Sequence, residues 1–153
     1  MNRIFLSLGS NIQPAKYIPA CFQKLKERFH VLKISPVYET TPVGPAGSFS
    51  FWNAVVEIET DLTGKNLSDA LRSIEEALGR VRNPLNKFAP RTLDIDILPQ
   101  PDYQNLAFIM IPLADISPDT LDPQTGKSFR ELAQALAAEG KAFRKVQPSE
   151  FIS

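Results

Sequence analysis

The chain has 153 residues, and its 17 basic side chains balance its 17 acidic ones, so the formal net charge is zero. A neutral net charge does not indicate a broad basic surface for a nucleic acid or an anionic membrane, and we expect neither as a partner. The length suits one domain, which we assign to residues 1–153.

The scarce residue types narrow the class of site. Cys21 is the only cysteine and His30 the only histidine, so we expect no intramolecular disulfide, histidine-based metal site or Ser/His triad. Residues 1–8 are too short and too polar for a signal peptide, and no apolar run approaches a membrane span. We therefore expect a protein of the cytoplasm, and we expect it to be a monomer.

The first part of the chain alternates strands with amphipathic helices. Residue patterns predict strands over 4–8, 30–38 and 51–60, and a helix over 14–29 that has a proline in its first turn. A second helix is predicted over residues 67–78, because apolar side chains recur at helical spacing and Gly79 follows where helices usually end. Residues 39–50 are dense in Pro, Gly, Ser and Thr, which predicts a long ordered loop.

The strand over residues 51–60 has two different faces. Trp52 shares its face with Val56 and Ile58 and is predicted to lie in the core. Phe51 and Asn53 lie on the opposite face, beside the preceding loop.

A fourth strand over residues 93–97 completes the order strand, helix, strand, strand, helix, strand. This order predicts an α+β fold, the ferredoxin-like βαββαβ sandwich, with an antiparallel four-stranded sheet and both helices on one face. Beyond Leu98 the pattern predicts a short strand over 108–111, turns with a brief helix over 112–123, and a helix over 128–138 that begins with a capping box. The tail over residues 143–153 is ambiguous, and we expect the second part to form a C-terminal helical extension.

The strand over residues 93–97 carries the most informative side chains. Asp94 and Asp96 point to one face, where two carboxylates roughly 6–7 Å apart repel each other unless a cation or water intervenes. Four basic residues precede them, namely Arg80, Arg82, Lys87 and Arg91. Carboxylates that hold Mg²⁺ beside guanidinium groups that hold phosphate are typical of phosphoryl transfer. The alternative is a solvated edge strand that follows a basic loop.

Five motifs, taken in order, resemble the 6-hydroxymethyl-7,8-dihydropterin pyrophosphokinase family. They are GSN at residues 9–11, TTPVGP at 40–45, FWNA at 51–54, GRVR at 79–82 and PRTLDIDI at 90–97. The resemblance implies a folate-pathway enzyme that moves the diphosphate of ATP, its co-substrate, onto the hydroxymethyl group of a reduced pterin and releases AMP.

The resemblance also implies roles for individual residues. Asp94 and Asp96 would hold two Mg²⁺ ions that bridge the triphosphate, and Arg80 and Arg91 would hold phosphate oxygens as catalytic residues. The remaining residues would bind substrates. Phe51 and Phe108 would stack on the pterin, Asn53 would bond its amide edge, Thr40, Pro42 and Val43 would line its pocket, and Glu75 and Ile97 would lie near the adenosine.

The chain departs from the family pattern after the second aspartate. Only nine residues, 99–107, separate Leu98 from Phe108, and they include neither the histidine nor the arginine that the family carries there. Three alternatives therefore stay open: a weak or inactive paralogue that binds pterin or nucleotide, a kinase for a different acceptor alcohol, and a structural interaction domain.

Overall fold

The computed structural model describes residues 1–40, 51–80, 92–138 and 143–151. The strands are β1 (Asn2–Ser10), β2 (His30–Ile34), β3 (Tyr38–Thr40), β4 (Phe51–Thr60), β5 (Asp94–Ile97) and β6 (Phe143–Lys145). The α-helices are α1 (Pro14–Arg28), α2 (Gly64–Ala77), α3 (Ala107–Ile116) and α4 (Phe129–Ala137). Short 3-10 turns span Tyr103–Asn105 and Pro148–Glu150.

The strands form one sheet in the order β5-β1-β4-β3-β6, and β2 also pairs with β4. Every pairing is antiparallel. β4 lies at the centre because β1 runs along one side of it, while β2 and β3 follow one another along the other side. The predicted ferredoxin-like order is confirmed, and β6 makes the sheet wider than the predicted four strands.

The strand predicted over residues 30–38 divides into β2 and β3. Pro36 has no amide hydrogen to give to a strand ladder. Ser35 pairs with Val55 in a different way, because its amide donates to the Val55 carbonyl at 2.9 Å and its hydroxyl oxygen accepts from the Val55 amide at 2.8 Å. Pairing resumes at Tyr38, so Thr40, expected in a loop, instead ends β3.

Helices cover both faces of the sheet. On one face α1 and α2 bury a core against Leu6, Leu8, Ala54, Val56 and Ile58. On the other face α3 and α4 pack around Val55. The alternation predicted for β4 is therefore confirmed, as is the placement of the first two helices on one face.

The short strand predicted over residues 108–111 is wrong, because these residues belong to α3. A short apolar run does not distinguish a strand from a buried helix by periodicity alone. The helix places Ile109, Met110, Leu113 and Ile116 in the core, which explains its nearly uniform apolar composition. The turns with a brief helix predicted over residues 112–123 are confirmed in part, because α3 continues to Ile116 and a turn follows at residues 118–119.

The capping box predicted at Ser128 is confirmed. The Ser128 hydroxyl accepts from the Glu131 amide at 3.1 Å, and the Glu131 carboxylate accepts in return from the Ser128 amide. α4 therefore begins at Phe129 and ends at Ala137, close to the predicted bounds.

Candidate active site

One row of paired residues crosses the sheet where β1 ends and β4 and β5 begin. Gly9 of β1 pairs with Asp94 of β5 on one side and with Asn53 of β4 on the other. Because directly paired residues of an antiparallel sheet point to the same face, Asp94 and Asn53 share a face. Asp96 pairs with Ser7 in a neighbouring row and lies on that face too. The structure thus brings the predicted metal ligands and a predicted pterin contact onto one surface.

Gly9 keeps the middle of this row open. A Cβ atom at Gly9 would lie 3.2 Å from Oδ1 of Asn53 and 3.9 Å from Cδ1 of Phe51. The first distance is closer than an ordinary van der Waals contact, so any side chain at this position requires Asn53 to shift. Glycine at this position therefore leaves room for the Asn53 side chain.

Arg80 reaches this surface from the end of α2. One nitrogen, Nη1, donates to Oε2 of Glu75 at 2.8 Å and to Oδ1 of Asp94 at 2.6 Å. The side chain is only 10% exposed. Its buried Nε has no hydrogen-bond acceptor within the part of the chain that the structure describes. A largely buried guanidinium therefore lies beside the acidic pair, as an anion-binding role requires.

The Glu75 carboxylate binds both Arg80 and the backbone of β5. Its side chain is 4% exposed, and Oε2 accepts from the backbone amide of Ile95 at 2.7 Å. This amide belongs to β5, which among the described strands pairs with β1 alone and forms an edge of the sheet. The Glu75 carboxylate thus accepts hydrogen bonds from the Ile95 amide and from Arg80. These bonds fix the position of Asp94 relative to α2.

The acidic pair is half-buried, and this changes the acidity of Asp96. Burial raises the pKa of Asp96 to about 7, and the charge of Asp94 and a hydrogen bond with it act in the same direction. Glu75 adds to this rise, whereas the charge of Arg80 opposes it. A carboxylate crowded by its neighbours is stabilised by a cation that reduces the repulsion.

The donor set fits Mg²⁺ carried by a phosphate ligand. No group of three or more His, Cys, Asp or Glu side chains suited to a metal occurs among the described residues. Mg²⁺ is usually held by one or two carboxylates together with substrate phosphates and water, rather than by a complete protein cage. Asp94 and Asp96 supply such a partial set.

A cleft of about 260 Å³ lies beside β5. Glu75 and Ile97, both predicted near the adenosine, line it together with Asp94 and Asp96. Its further lining residues, which the sequence reasoning missed, are Ser68, Leu71, Arg72, Ile95 and Gln100. The polar residues at positions 68, 72 and 75 follow helical spacing, and this stripe was the signal available in the sequence.

The residues predicted to bind pterin are described only in part. Phe51 begins β4, and Thr40 pairs with it through the backbone of β3. Phe108 lies in the first turn of α3, half-buried against the core of α3 and α4, rather than on a strand. Pro42, Val43 and Arg91 lie outside the described residues. The roles given to all these residues stay predictions.

The chain is similar to known proteins of one enzyme family. The family model described as 7,8-dihydro-6-hydroxymethylpterin-pyrophosphokinase (HPPK) matches residues 5–118. Two proteins named 2-amino-4-hydroxy-6-hydroxymethyldihydropteridine pyrophosphokinase are similar over most of the chain. The Pseudomonas aeruginosa protein is 37% identical and covers 92% of this chain and 95% of its own length. The Methylorubrum extorquens protein is 34% identical over 92% of this chain and 97% of its own.

The fold also resembles solved structures. The Plasmodium falciparum HPPK-DHPS wild-type structure with SDX-DHP aligns with a TM-score of 0.68 and 14% identity over 91% of this chain. The chain spans 44% of that longer protein, and at 14% identity the likeness concerns the fold alone. Separately, the helices in the described residues are all too short or too polar to traverse a lipid bilayer.

Proposed function

We propose, because this chain belongs to the 7,8-dihydro-6-hydroxymethylpterin-pyrophosphokinase (HPPK) family, that it transfers the diphosphate of ATP to 6-hydroxymethyl-7,8-dihydropterin and releases AMP in folate biosynthesis. The observation that carries the proposal is the row Asp94, Gly9 and Asn53, with Arg80 bonded to Asp94. Nucleotide-side and acceptor-side residues thereby share one surface. The family relation does not favour the inactive paralogue or a different acceptor.

On the nucleotide side, Asp94 and Asp96 would hold Mg²⁺, with two ions expected. Bound Mg²⁺ would neutralise triphosphate oxygens and orient the phosphate chain. Arg80 lies at the same carboxylate and would contact the charge that develops on the transferred group. Arg91 is proposed for the same task from its place in the sequence motif.

The cleft beside β5 would hold the nucleotide. Ile97 and Leu71 offer apolar contact, and Arg72, Ser68 and Gln100 offer polar groups around it. The side-chain amide of Gln100 donates through Nε2 to the Ile97 carbonyl at 3.0 Å, so the turn after β5 is held against the cleft. The cleft therefore presents a mixed surface to a base and a ribose.

On the acceptor side, Asn53 would bond the pterin edge while Phe51 and Phe108 would stack on its faces. Thr40, Pro42 and Val43 would line the pocket. The hydroxymethyl oxygen then forms its bond to the β-phosphorus of ATP as the bond from that phosphorus to the α-phosphate oxygen breaks. The hydroxyl proton is released, and AMP leaves. The residues contribute by orienting the two substrates and excluding water.

We also propose that the protein acts as a monomer in the cytoplasm. The support for the location is the single cysteine, which cannot form an intramolecular disulfide.

The test is incubation with MgATP and 6-hydroxymethyl-7,8-dihydropterin, with AMP separated from ADP. We expect pterin-dependent AMP from the native chain, and loss of most of it in Asp94→Asn and Asp96→Asn. Asp69→Asn is the matched control, since this aspartate is exposed and forms an ion pair with Lys65 at 3.7 Å on the surface of α2. Pterin-dependent ADP would indicate single phosphoryl transfer, and no AMP from folded protein would overturn the proposal.

A further inference from the structure

The C-terminal segment, residues 143–151, lies beyond residues 5–118 that the family model matches, yet it completes the sheet. β6 pairs with all three residues of β3, with Tyr38 opposite Lys145 and Thr40 opposite Phe143. The Val146 amide then donates to the Val37 carbonyl at 2.8 Å, and the Val146 side chain is buried. Without this segment β3 would be the edge of the sheet.

Side chains bind the same segment to the two strands of the acceptor side. Oε1 of Glu39 accepts from Nε of Arg144 at 3.1 Å, and Oε2 of Glu39 accepts from Nε1 of Trp52 at 3.0 Å. Nη1 of Arg144 also donates to Glu150 at 2.8 Å. The ring of Phe151 meets the ring of Trp52 edge to face, with 6.1 Å between centroids. Trp52 is thus held by both a hydrogen bond and a ring contact.

We propose that residues 143–151 support the acceptor site, and that Arg144 and Phe151 are positioning residues that set the affinity for the pterin. The proposal rests on the proposed function above. Glu39 directly precedes Thr40, and Trp52 separates Phe51 from Asn53. A shift of either anchored residue therefore moves the backbone of residues assigned to the pterin.

The nucleotide side is separated from this support. In the sheet order, β4 and β1 lie between β3 and β5, which carries Asp94 and Asp96. Trp52 itself belongs to the core on the α1 and α2 face, opposite the face of Asn53. The segment thus acts on the acceptor side through the backbone, and it contributes no group to the reacting atoms.

The test compares Arg144→Ala and Phe151→Ala with Arg130→Ala. Arg130, on α4, is the matched control. Like Arg144 it is about half exposed, and it forms an ion pair with Asp119 at 3.0 Å. We expect the KM for the pterin to rise about two- to fivefold in Arg144→Ala and up to about tenfold in Phe151→Ala. The KM for ATP and kcat stay unchanged, and Arg130→Ala behaves like the native chain.

A second measurement is independent of turnover. Amide hydrogen exchange should accelerate at residues 38–40 and 51–53 in both variants, while residues 94–97 keep their protection. If the native chain forms no AMP, the proposed function fails. Amide hydrogen exchange and equilibrium binding of the pterin still test whether residues 143–151 support the acceptor site. Arg144→Lys covers the case in which Phe151→Ala does not fold, because lysine keeps the charge without the fork that reaches Glu39 and Glu150. Equal changes in both KM values, or an unchanged pterin KM in both Arg144 variants, overturn the proposal.

Discussion

Arg80 and Asp94 form an ion pair at 2.6 Å, and the same guanidinium nitrogen also donates to Glu75 at 2.8 Å. Arg80 follows α2, whereas Asp94 opens β5, so the pair joins the end of a helix to the start of the acidic strand. The guanidinium offsets part of the repulsion between Asp94 and Asp96. Arg80 and the acidic strand are therefore connected before any substrate binds.

Arg80→Lys should lower kcat/KM for AMP formation by about ten- to a hundredfold, because lysine keeps the charge but loses the planar fork. Steady-state assays with each substrate varied in turn would measure the change. Arg3→Lys is a suitable control. Arg3 is exposed, and its ion pair with Glu59 is weak because Nε and Oε2 lie 4.0 Å apart. A fall of less than twofold in Arg80→Lys would contradict a role in phosphate binding.

Glu75→Gln should destabilise the fold by about 1–3 kcal/mol. The buried carboxylate satisfies both the Ile95 amide and Arg80, and a neutral amide weakens the interaction with the guanidinium. Urea unfolding at pH 7 would measure the loss. Glu76→Gln, one position along on the exposed side of α2, should leave stability within about 0.5 kcal/mol of the native value. Equal stability of the two variants would count against the buried bridge.

Gly9→Ala should raise the KM for the pterin more than the KM for ATP. The added methyl group meets Oδ1 of Asn53 at 3.2 Å, so the side chain assigned to the pterin edge has to move. Gly126→Ala is the control, because its backbone has a φ of 71° but nothing lies within 4 Å of the added carbon. That variant should lose about 1 kcal/mol of stability through backbone strain and keep the native KM for the pterin. Unchanged pterin binding in Gly9→Ala would contradict the assignment of Asn53.

The lowered pKa of Asp122 should make the free energy of unfolding depend on pH. Its side chain is almost fully buried, and burial by itself raises the pKa of Asp122. Hydrogen bonds outweigh that effect and lower the pKa overall, since Oδ1 accepts from the Tyr103 hydroxyl at 2.6 Å and Oδ2 accepts from the Thr125 amide at 2.9 Å. The folded carboxyl thus binds its proton more weakly than the unfolded one.

This difference fixes the sign of the effect. The stabilisation by Asp122 is complete above the unfolded pKa of about 3.9 and is lost as pH falls through the lower folded value. Asp122→Asn should cost about 2–3 kcal/mol at pH 7, because an amide nitrogen cannot accept from Thr125. Urea unfolding between pH 7 and pH 3 should show the native chain approaching the variant at the acid end. A gap between them that stays constant with pH would contradict the lowered pKa.

The sequence by itself determined most of the local structure and indicated which side chains meet at the candidate site. Helical spacing placed α1 and α2 within a few residues of their bounds, and the capping box at Ser128 marked the start of α4. The alternation around Asp94 and Asp96 identified both the strand and the two carboxylates that share one face of it. These features depend on neighbours a few positions apart, which is why periodicity and short motifs reveal them.

Tertiary structure decided what depends on distant partners. Phe108 belongs to a helix because α3 is buried between the sheet and α4, and a short, uniformly apolar segment does not indicate this by its own pattern. Only the register of three strands shows that Gly9 separates Asp94 from Asn53, and only the pairing of β6 with β3 brings Arg144 to Glu39 across 105 positions. Such contacts depend on chain segments remote in sequence that meet only when the sheet has formed.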